Sequence, residues 1–210
     1  MLFRSNELEQ RVSARTHDLA EQKDELHALT ESLRSTNREK EELLLRLQRQ
    51  TLEDGLTGLY NRRYLDNRLG LEVSRAERYK RDLALVMADI DHFKVVNDRF
   101  SHMVGDDVLR VMANILRAQC RSIDLIARYG GEEFLLCFPE TSRENAAAVC
   151  EKIRRQVESY EWDKLEPGLR VTISFGVAAA PPNYAVDALI AAADEKLYAA
   201  KHSGRNRVCA

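Results

Sequence analysis

The chain has 210 residues, which allows one domain of ordinary size and an additional segment. Lys and Arg total 32 and Asp and Glu total 34, and the net charge of -2 gives no overall basic field for a nucleic acid polymer or an anionic membrane. The four cysteines show no CxxC pair, and no uncharged apolar run reaches the roughly 18 residues of a membrane segment, so we expect a cytoplasmic protein with reduced thiols.

Residues 6–50 contain no Gly or Pro and carry a seven-residue apolar repeat. The apolar seam consists of Val12, Leu19, Leu26, Leu33 and Leu47 at position a and of Leu8, Leu29 and Leu43 at position d. Polar residues interrupt this seam at Arg15, Gln22, Thr36 and Lys40. The repeat predicts a parallel coiled-coil dimer over residues 1–52. Because this long helix begins at the N-terminus, we expect it to be the signalling stalk of an upstream sensory domain outside this chain. The alternative is a solvated single helix with a modest apolar stripe.

Residues 53–210 alternate predicted helices and strands. After the glycine-containing break at residues 54–59, Asn61 can cap a helix that runs toward Tyr79. A buried strand over 83–90 is followed by helices over 92–100 and 105–120, strands at 125–127 and 134–138, a helix over 143–160, a strand over 171–178 and a helix over 186–201. This order predicts an α/β fold with a mixed central sheet flanked by helices, of the β-α-β-β-α-β kind, preceded by the long coiled-coil helix.

Two acidic stretches stand at the ends of predicted strands. Asp89 lies near the end of the strand over 83–90 and Asp91 directly follows it, and Glu132 and Glu133 follow a predicted two-residue Gly-Gly turn at residues 130 and 131. Carboxylates at the end of an apolar strand need an ion or a hydrogen-bonding network, and Mg²⁺ or Mn²⁺ prefers such oxygen ligands. Because sequential strands usually lie close together, we expect Asp89 and one of the glutamates to converge on a metal-phosphate site suited to nucleotidyl transfer. A solvated hairpin tip is the alternative for the turn by itself.

Residues 51–210 resemble the GGDEF family of diguanylate cyclases, because Gly130-Gly131-Glu132-Glu133-Phe134 matches the signature GG(D/E)EF. Further family stretches occur in order: Asp54-Gly55-Leu56-Thr57-Gly58-Leu59-Tyr60-Asn61-Arg62-Arg63, Asp89-Ile90-Asp91-His92-Phe93-Lys94, Asn97-Asp98, Gly105-Asp106 and Gly204-Arg205-Asn206-Arg207. The resemblance implies an enzyme that condenses two GTP molecules into cyclic di-GMP and releases pyrophosphate. It also implies a homodimer in which each of two domains holds one GTP.

The matching positions imply a role for each site residue. Mg²⁺ would be held by Asp89, the backbone carbonyl of Ile90, Glu132 and Glu133, and Glu132 would also accept the proton of the 3′-hydroxyl. The substrate-binding set that the resemblance implies is Gly130 and Gly131 at the turn, Asn97 and Asp106 as the guanine-reading pair with His102 beside them, and Lys94, Lys201 and Arg205 as phosphate-side cations. Considered without the resemblance, Asn97 reads as a helix-surface amide, Asp106 as an N-cap and His102 as a solvated loop residue.

Two further features bear on regulation and on the pocket. Arg121 and Asp124 form an RxxD whose spacing before the glycines matches the family's inhibitory product site, although a local ion pair is the alternative. Ser101 stands where a glycine is usual before the histidine, which leaves the shape of the guanine-pocket loop open. Since the catalytic positions are all filled, we expect an active cyclase rather than a non-catalytic cyclic di-GMP receptor or dimerisation module.

Overall fold

A computed structural model describes residues 15, 22, 23, 27, 29–41, 43 and 52–210. The chain divides into two compact units, Met1–Arg49 and Gln50–Ala210, and the predicted domain boundary at residue 52 stays a prediction. In the first unit residues 29–41 are helical, and Leu29 and Leu33 are 67% and 61% exposed in the single chain. The seam residues Leu8, Val12, Leu19, Leu26 and Leu47 lie outside the described residues. The coiled coil therefore stays a prediction.

The second unit is built on one six-stranded mixed sheet. Its strands are β1 (Tyr60–Asn61), β2 (Leu83–Ile90), β3 (Leu125–Gly130), β4 (Glu133–Pro139), β5 (Ile173–Ala180) and β6 (Val208–Cys209). They lie side by side in the order β1-β3-β4-β2-β5-β6. The four inner strands pair with one another in antiparallel fashion, whereas the short edge strands β1 and β6 pair in parallel with β3 and β5. The predicted α/β class with a mixed central sheet is confirmed.

Helices cover both faces of the sheet. They are α1 (Arg62–Tyr79), α2 (Phe93–Phe100), α3 (His102–Gln119), α4 (Arg143–Glu158) and α5 (Val186–His202). Alternate residues of β2 join two separate cores: Val86 packs with residues of α2, α3 and α4, whereas Leu85 packs with residues of α1 and α5. Burial on both faces explains why β2 is apolar at nearly every position. Within the described ranges, no helix combines the length and the apolar character needed to cross a membrane.

Helix α3 begins three residues earlier than the sequence predicts. The Ser101 hydroxyl accepts a hydrogen bond from the Val104 N–H at 3.4 Å and so caps the helix at its first turn. Asp106 consequently lies inside the helix, and the alternative that it serves as an N-cap is wrong. The predicted cap of α1 is confirmed, because the Asn61 side chain accepts from the Tyr64 N–H at 2.9 Å.

Candidate active site

The β3–β4 hairpin turns one residue later than the sequence predicts. Gly130 pairs with Glu133, so the two turn residues are Gly131 and Glu132, and the predicted Gly130-Gly131 turn is wrong. The register shifts between Arg128 and Gly130, an irregularity that accommodates one additional residue. Gly131 takes a φ of +50°, and a Cβ atom at this residue would meet nothing within 4 Å. The tip therefore leaves room for a ligand to approach the backbone.

The three predicted acids meet at one end of the sheet. Asp89, near the end of β2, is the register partner of Glu133, the first residue of β4. The next residue, Ile90, donates its backbone N–H to the carbonyl oxygen of Glu132 at 3.3 Å. The antiparallel pairing of β2 with β4 is what produces this convergence, because it brings the end of one strand beside the beginning of the other.

Asp89 is a buried carboxylate whose charge is only partly neutralised. Its Oδ2 lies 2.8 Å from the Lys201 Nζ, and its side chain is 10% exposed. Burial raises the pKa of Asp89 to about 6, and repulsion from Glu132 and Glu133 adds to the rise while the bond to Lys201 opposes it. A site of this kind favours an additional cation.

The oxygen donors at this end of the sheet fit a hard divalent cation. Asp89, Glu132 and Glu133 supply carboxylates and Ile90 supplies a backbone carbonyl, which are the donor types that Mg²⁺ and Mn²⁺ prefer. In the part of the chain that the structure describes, no three Asp, Glu, His or Cys side chains, these three acids included, are grouped so that they could hold a metal ion. Lys201 instead balances part of the acidic charge in this arrangement.

The other two predicted phosphate-side cations lie in different elements. Lys94 is exposed on the first turn of α2. Arg205 follows α5 in the last loop, where its backbone N–H donates to the Ala200 carbonyl at 3.0 Å and its φ is +60°. Neither side chain forms an ion pair with another residue among those described, so both charges are available to an anionic ligand.

The predicted guanine-reading residues lie where α2 and α3 meet. A Cβ atom at Gly105 would stand 1.9 Å from the Asn97 Oδ1, so the amide of α2 lies directly against the backbone of α3. Asp106 is the next residue, and both it and His102 are exposed. Ser101 joins the two helices with φ +141° and ψ 164°, a backbone conformation that strongly favours glycine and costs a serine about 1 to 3 kcal/mol. The serine at this junction thus introduces strain beside the predicted pocket.

The predicted guanine-reading role of Asn97 implies that Gly105→Ala weakens GTP binding by roughly 1 to 3 kcal/mol, because the new methyl group would push the Asn97 amide away from its position and leave a polar match unmade. The check is the KM for GTP and the binding constant for a non-hydrolysable GTP analogue. Asn97→Ala is the control: it should cause a similar loss, and adding Gly105→Ala to it should cause little more. An unchanged affinity in Gly105→Ala would contradict this placement of Asn97.

Sequence reasoning missed the arginine that supports the hairpin turn. The Arg128 Nε donates to the Gly131 carbonyl at 2.8 Å, and its Nη1 lies 3.2 and 3.3 Å from the two carboxylate oxygens of Asp54. Although burial opposes the change, hydrogen bonds from Thr57 and the Arg128 guanidinium lower the pKa of Asp54. The sequence did contain a signal for this contact: Asp54 and Arg128 are charged residues that each lie shortly before a glycine stretch, and the apolar periodicity of the strands does not explain why they are charged.

Arg121 and Asp124 lie in the turn before β3, at the far end of that strand from the glycines. The Asp124 Oδ2 accepts the backbone N–H of Arg121 at 2.6 Å, and burial raises the pKa of this carboxyl. No described carboxylate lies within ion-pair distance of the Arg121 guanidinium, so the alternative of a local ion pair is not what the structure shows. The residues between them border a cavity of about 360 Å³, lined among others by Tyr60, Tyr64, Arg68, Ser122 and Ile123.

Two curated relatives share the second unit. The chain is 43% identical over 157 residues to the diguanylate cyclase DgcP of Pseudomonas aeruginosa, which covers 75% of this chain and 23% of the relative. It is 44% identical over 158 residues to the response regulator PleD of Caulobacter vibrioides, covering 74% of this chain and 35% of the relative. The chain therefore spans well under half of the length of these relatives.

Among solved structures, the coiled coil and GGDEF domain of DgcB from Caulobacter crescentus, in complex with c-di-GMP, is similar. It is 34% identical with a TM-score of 0.77, and the match covers 86% of this chain and 96% of that one. The profile of the family described as "Diguanylate cyclase, GGDEF domain" matches residues 51–207. The chain that folds into this hairpin and sheet belongs to the GGDEF-domain family of diguanylate cyclases.

Proposed function

We propose that the chain is a diguanylate cyclase, which joins two GTP molecules into cyclic di-GMP and releases two molecules of pyrophosphate. The observation that carries the proposal is the register of β2 against β4, which sets Asp89 opposite Glu133 and beside the turn that holds Glu132. Three acids at the open end of a rigid sheet can bind the cation that accompanies a nucleoside triphosphate. The names of the relatives support the same activity.

The metal would be bound by Asp89, the carbonyl of Ile90, Glu132 and Glu133, with Mg²⁺ as the expected ion and Mn²⁺ as the alternative. When bound, such an ion lowers the pKa of a hydroxyl and offsets charge on the leaving phosphate oxygens. Glu132 lies in the turn at the hairpin tip, where its carboxylate can take the proton of the 3′-hydroxyl. That hydroxyl then attacks the α-phosphate of the other GTP, and pyrophosphate leaves.

The remaining residues bind and orient the substrate. Lys94, Lys201 and Arg205 would offset the charge of the triphosphate, and an arginine can contact phosphate oxygens with two parallel hydrogen bonds. Asp106 would accept hydrogen bonds from the N1 and N2 donors of guanine, with Asn97 beside it and His102 lining the same pocket. Because adenine presents a different edge, these contacts would select GTP over ATP.

The reaction needs two domains, because each domain would hold one GTP and the product joins two. We expect the two sites to meet face to face in a homodimer joined by the predicted coiled coil over residues 1–52. Polar seam positions such as Arg15 and Gln22 would allow more than one helix register, so an upstream sensory domain could bring the half-sites together or apart. Cysteine crosslinking along residues 26–47 would test this switch, and identical patterns in active and inhibited protein would exclude it.

Glu132→Gln tests the proposed role of this residue directly. The variant keeps the size of the side chain but removes the base and the charge, so we expect cyclic di-GMP formation from GTP and Mg²⁺ to fall roughly 10²-fold to 10³-fold. Glu161→Gln is the matched control, because its carboxylate is exposed and pairs with Lys164 away from the hairpin. Equal product formation in Glu132→Gln and the wild type would exclude Glu132 from catalysis.

Arg121→Ala is expected to leave the initial rate intact and to relieve inhibition by cyclic di-GMP. The exposed guanidinium of Arg121 would pair with a phosphate or guanine of the product, while Asp124 would accept from guanine donors. The measurement is the initial rate at increasing concentrations of added cyclic di-GMP. Arg143→Ala, which removes an exposed arginine on α4, is the control and should stay as inhibitable as the wild type. Unchanged inhibition in Arg121→Ala would remove the product site from this turn.

A further inference from the structure

We propose that Arg154 of helix α4 is a positioning residue for Arg205, and that it acts through the side chain of Asn206. The inference rests on the proposed function, in which Arg205 contacts the triphosphate. Arg154 has no place in the matched family stretches and lies 51 positions before Arg205 in the chain. The link between them is therefore visible only in the folded protein.

Arg154 is largely buried, and its guanidinium donates hydrogen bonds to three neighbouring side chains. Its side chain is 13% exposed. The Nε and Nη2 donate to the two carboxylate oxygens of Glu151 at 2.8 and 3.0 Å, and the Nη1 donates to Glu158 at 2.8 Å. The same Nη1 donates to the Asn206 Oδ1 at 2.8 Å. The two glutamates thus fix the guanidinium on α4, and the fixed guanidinium contacts the C-terminal loop.

Asn206 is held from three directions. Beyond the bond from Arg154, its Nδ2 donates to the Glu158 Oε1 at 2.7 Å, and its backbone N–H donates to the Asp91 Oδ2 at 3.0 Å. Asp91 is itself buried and accepts hydrogen bonds from the hydroxyls of Thr172 and Ser174, each at 2.7 Å. The amide group and the backbone of Asn206 are consequently tied to α4 and to the end of β2 at once.

This anchoring matters because Arg205 and Asn206 both adopt left-handed backbone conformations, with φ of +60° and +48°. Such a conformation is disfavoured for residues with a Cβ atom and persists where the surroundings hold it. Arg205 is bonded on one side to the Ala200 carbonyl and continues on the other into the anchored Asn206. The direction in which its guanidinium leaves the loop is therefore fixed by Asn206, and through it by Arg154.

The test compares binding of a non-hydrolysable GTP analogue and of GMP to the full chain in Mg²⁺, measured by calorimetry. Arg154→Ala is expected to weaken the triphosphate analogue roughly 10-fold to 100-fold, because a small misplacement of a contacting group is costly, and to leave GMP affinity nearly unchanged. In an Arg205→Ala background the same substitution should have little further effect. Arg155→Ala is the matched control, since Arg155 is 72% exposed and pairs with Glu151 without contacting Asn206.

Asn206→Gly tests the contact between Arg154 and Asn206 while leaving Arg154 in place on α4. Glycine adopts the left-handed backbone conformation readily, and the substitution removes the side-chain hydrogen bonds of Asn206. It should reproduce the selective loss of triphosphate affinity. Equal losses for both nucleotides, or additive losses with Arg205→Ala, would overturn the inference. If the wild-type chain binds the analogue and the two variants show the selective loss, but the wild type makes no product, only the proposed function would be overturned. A wild-type chain that binds neither nucleotide would overturn both.

Discussion

Asp89→Asn is expected to slow cyclic di-GMP synthesis strongly and at the same time to raise the free energy of unfolding at neutral pH. The carboxylate is a proposed metal ligand, and its loss should lower the rate roughly 10²-fold to 10³-fold or more. The same carboxylate is costly to the fold, because burial and the two nearby glutamates raise its pKa from 3.8 to about 6. A neutral amide removes that cost, although Lys201 loses its partner, so we expect a gain of roughly 1 to 3 kcal/mol.

The pH dependence of this gain follows from the raised pKa. In the wild type the folded protein binds the Asp89 proton more tightly than the unfolded chain does, so ionisation of Asp89 destabilises the fold. The cost is complete above the folded pKa of about 6 and disappears as the pH falls below the ordinary value of 3.8. Urea unfolding of both proteins at pH 8 and near pH 3.5 checks this: the curves should differ at the higher pH and converge at the lower.

Asp91→Asn is the matched control, two residues along the chain. Asp91 is buried and accepts three hydrogen bonds, from Thr172, Ser174 and the backbone of Asn206. An amide can replace only part of this acceptor capacity, so the variant should lose stability at pH 8, where Asp89→Asn gains it. Destabilisation of similar size in both variants would contradict the assignment of Asp89 as the carboxylate whose buried charge destabilises the fold and of Asp91 as the carboxylate whose hydrogen bonds stabilise it.

Gly176→Ala is expected to destabilise the second unit by about 3 kcal/mol or more, because β5 and α5 pack backbone against backbone at this residue. A Cβ atom at Gly176 would stand 2.1 Å from both the Ala193 carbonyl oxygen and the Leu197 nitrogen. Helix α5 would have to move away from the sheet, and it carries Lys201 toward Asp89. The measurements are the urea unfolding midpoint and the rate of product formation, and both should fall.

Gly70→Ala is the control for this packing effect. Gly70 lies within α1, and a Cβ atom there would meet nothing within 4 Å. Alanine favours a helix over glycine, so we expect a gain of roughly 0.5 to 1 kcal/mol with unchanged activity. A Gly176→Ala protein as stable as the wild type would show that α5 and β5 are not in the close contact that the structure describes.

The longer elements of the second unit could be predicted because their apolar patterns are strong. The run over 83–90 becomes β2 with the predicted bounds, since it is buried on both faces of the sheet. The edge strands β1 and β6 were not predicted, because two residues carry no periodicity and their parallel pairing depends on distant partners. The observed hairpin turn lies one residue after the predicted one for a similar reason, because the irregularity after Arg128 cannot be recognised in the apolar pattern of the sequence.

The candidate site could be predicted as a set of residue types but not as a network. The sequence predicts that Asp89 converges with the glutamates, but nothing in it shows that Asp91, two residues later, anchors the last loop. The pairing of Lys201 with Asp89 and the contact of Arg154 with Asn206 join residues more than 50 positions apart. Such contacts are decided by how helices pack on the sheet, which local spacing does not encode.

The most direct test of the account is to incubate the purified chain with GTP and Mg²⁺ and to separate the products by chromatography. We expect one cyclic di-GMP and two pyrophosphates for every two GTP consumed, and no cyclic product from ATP, because the proposed guanine contacts reject adenine. Tight binding of cyclic di-GMP without any turnover of GTP, even after the chains are crosslinked into dimers, would contradict the cyclase and favour a non-catalytic receptor.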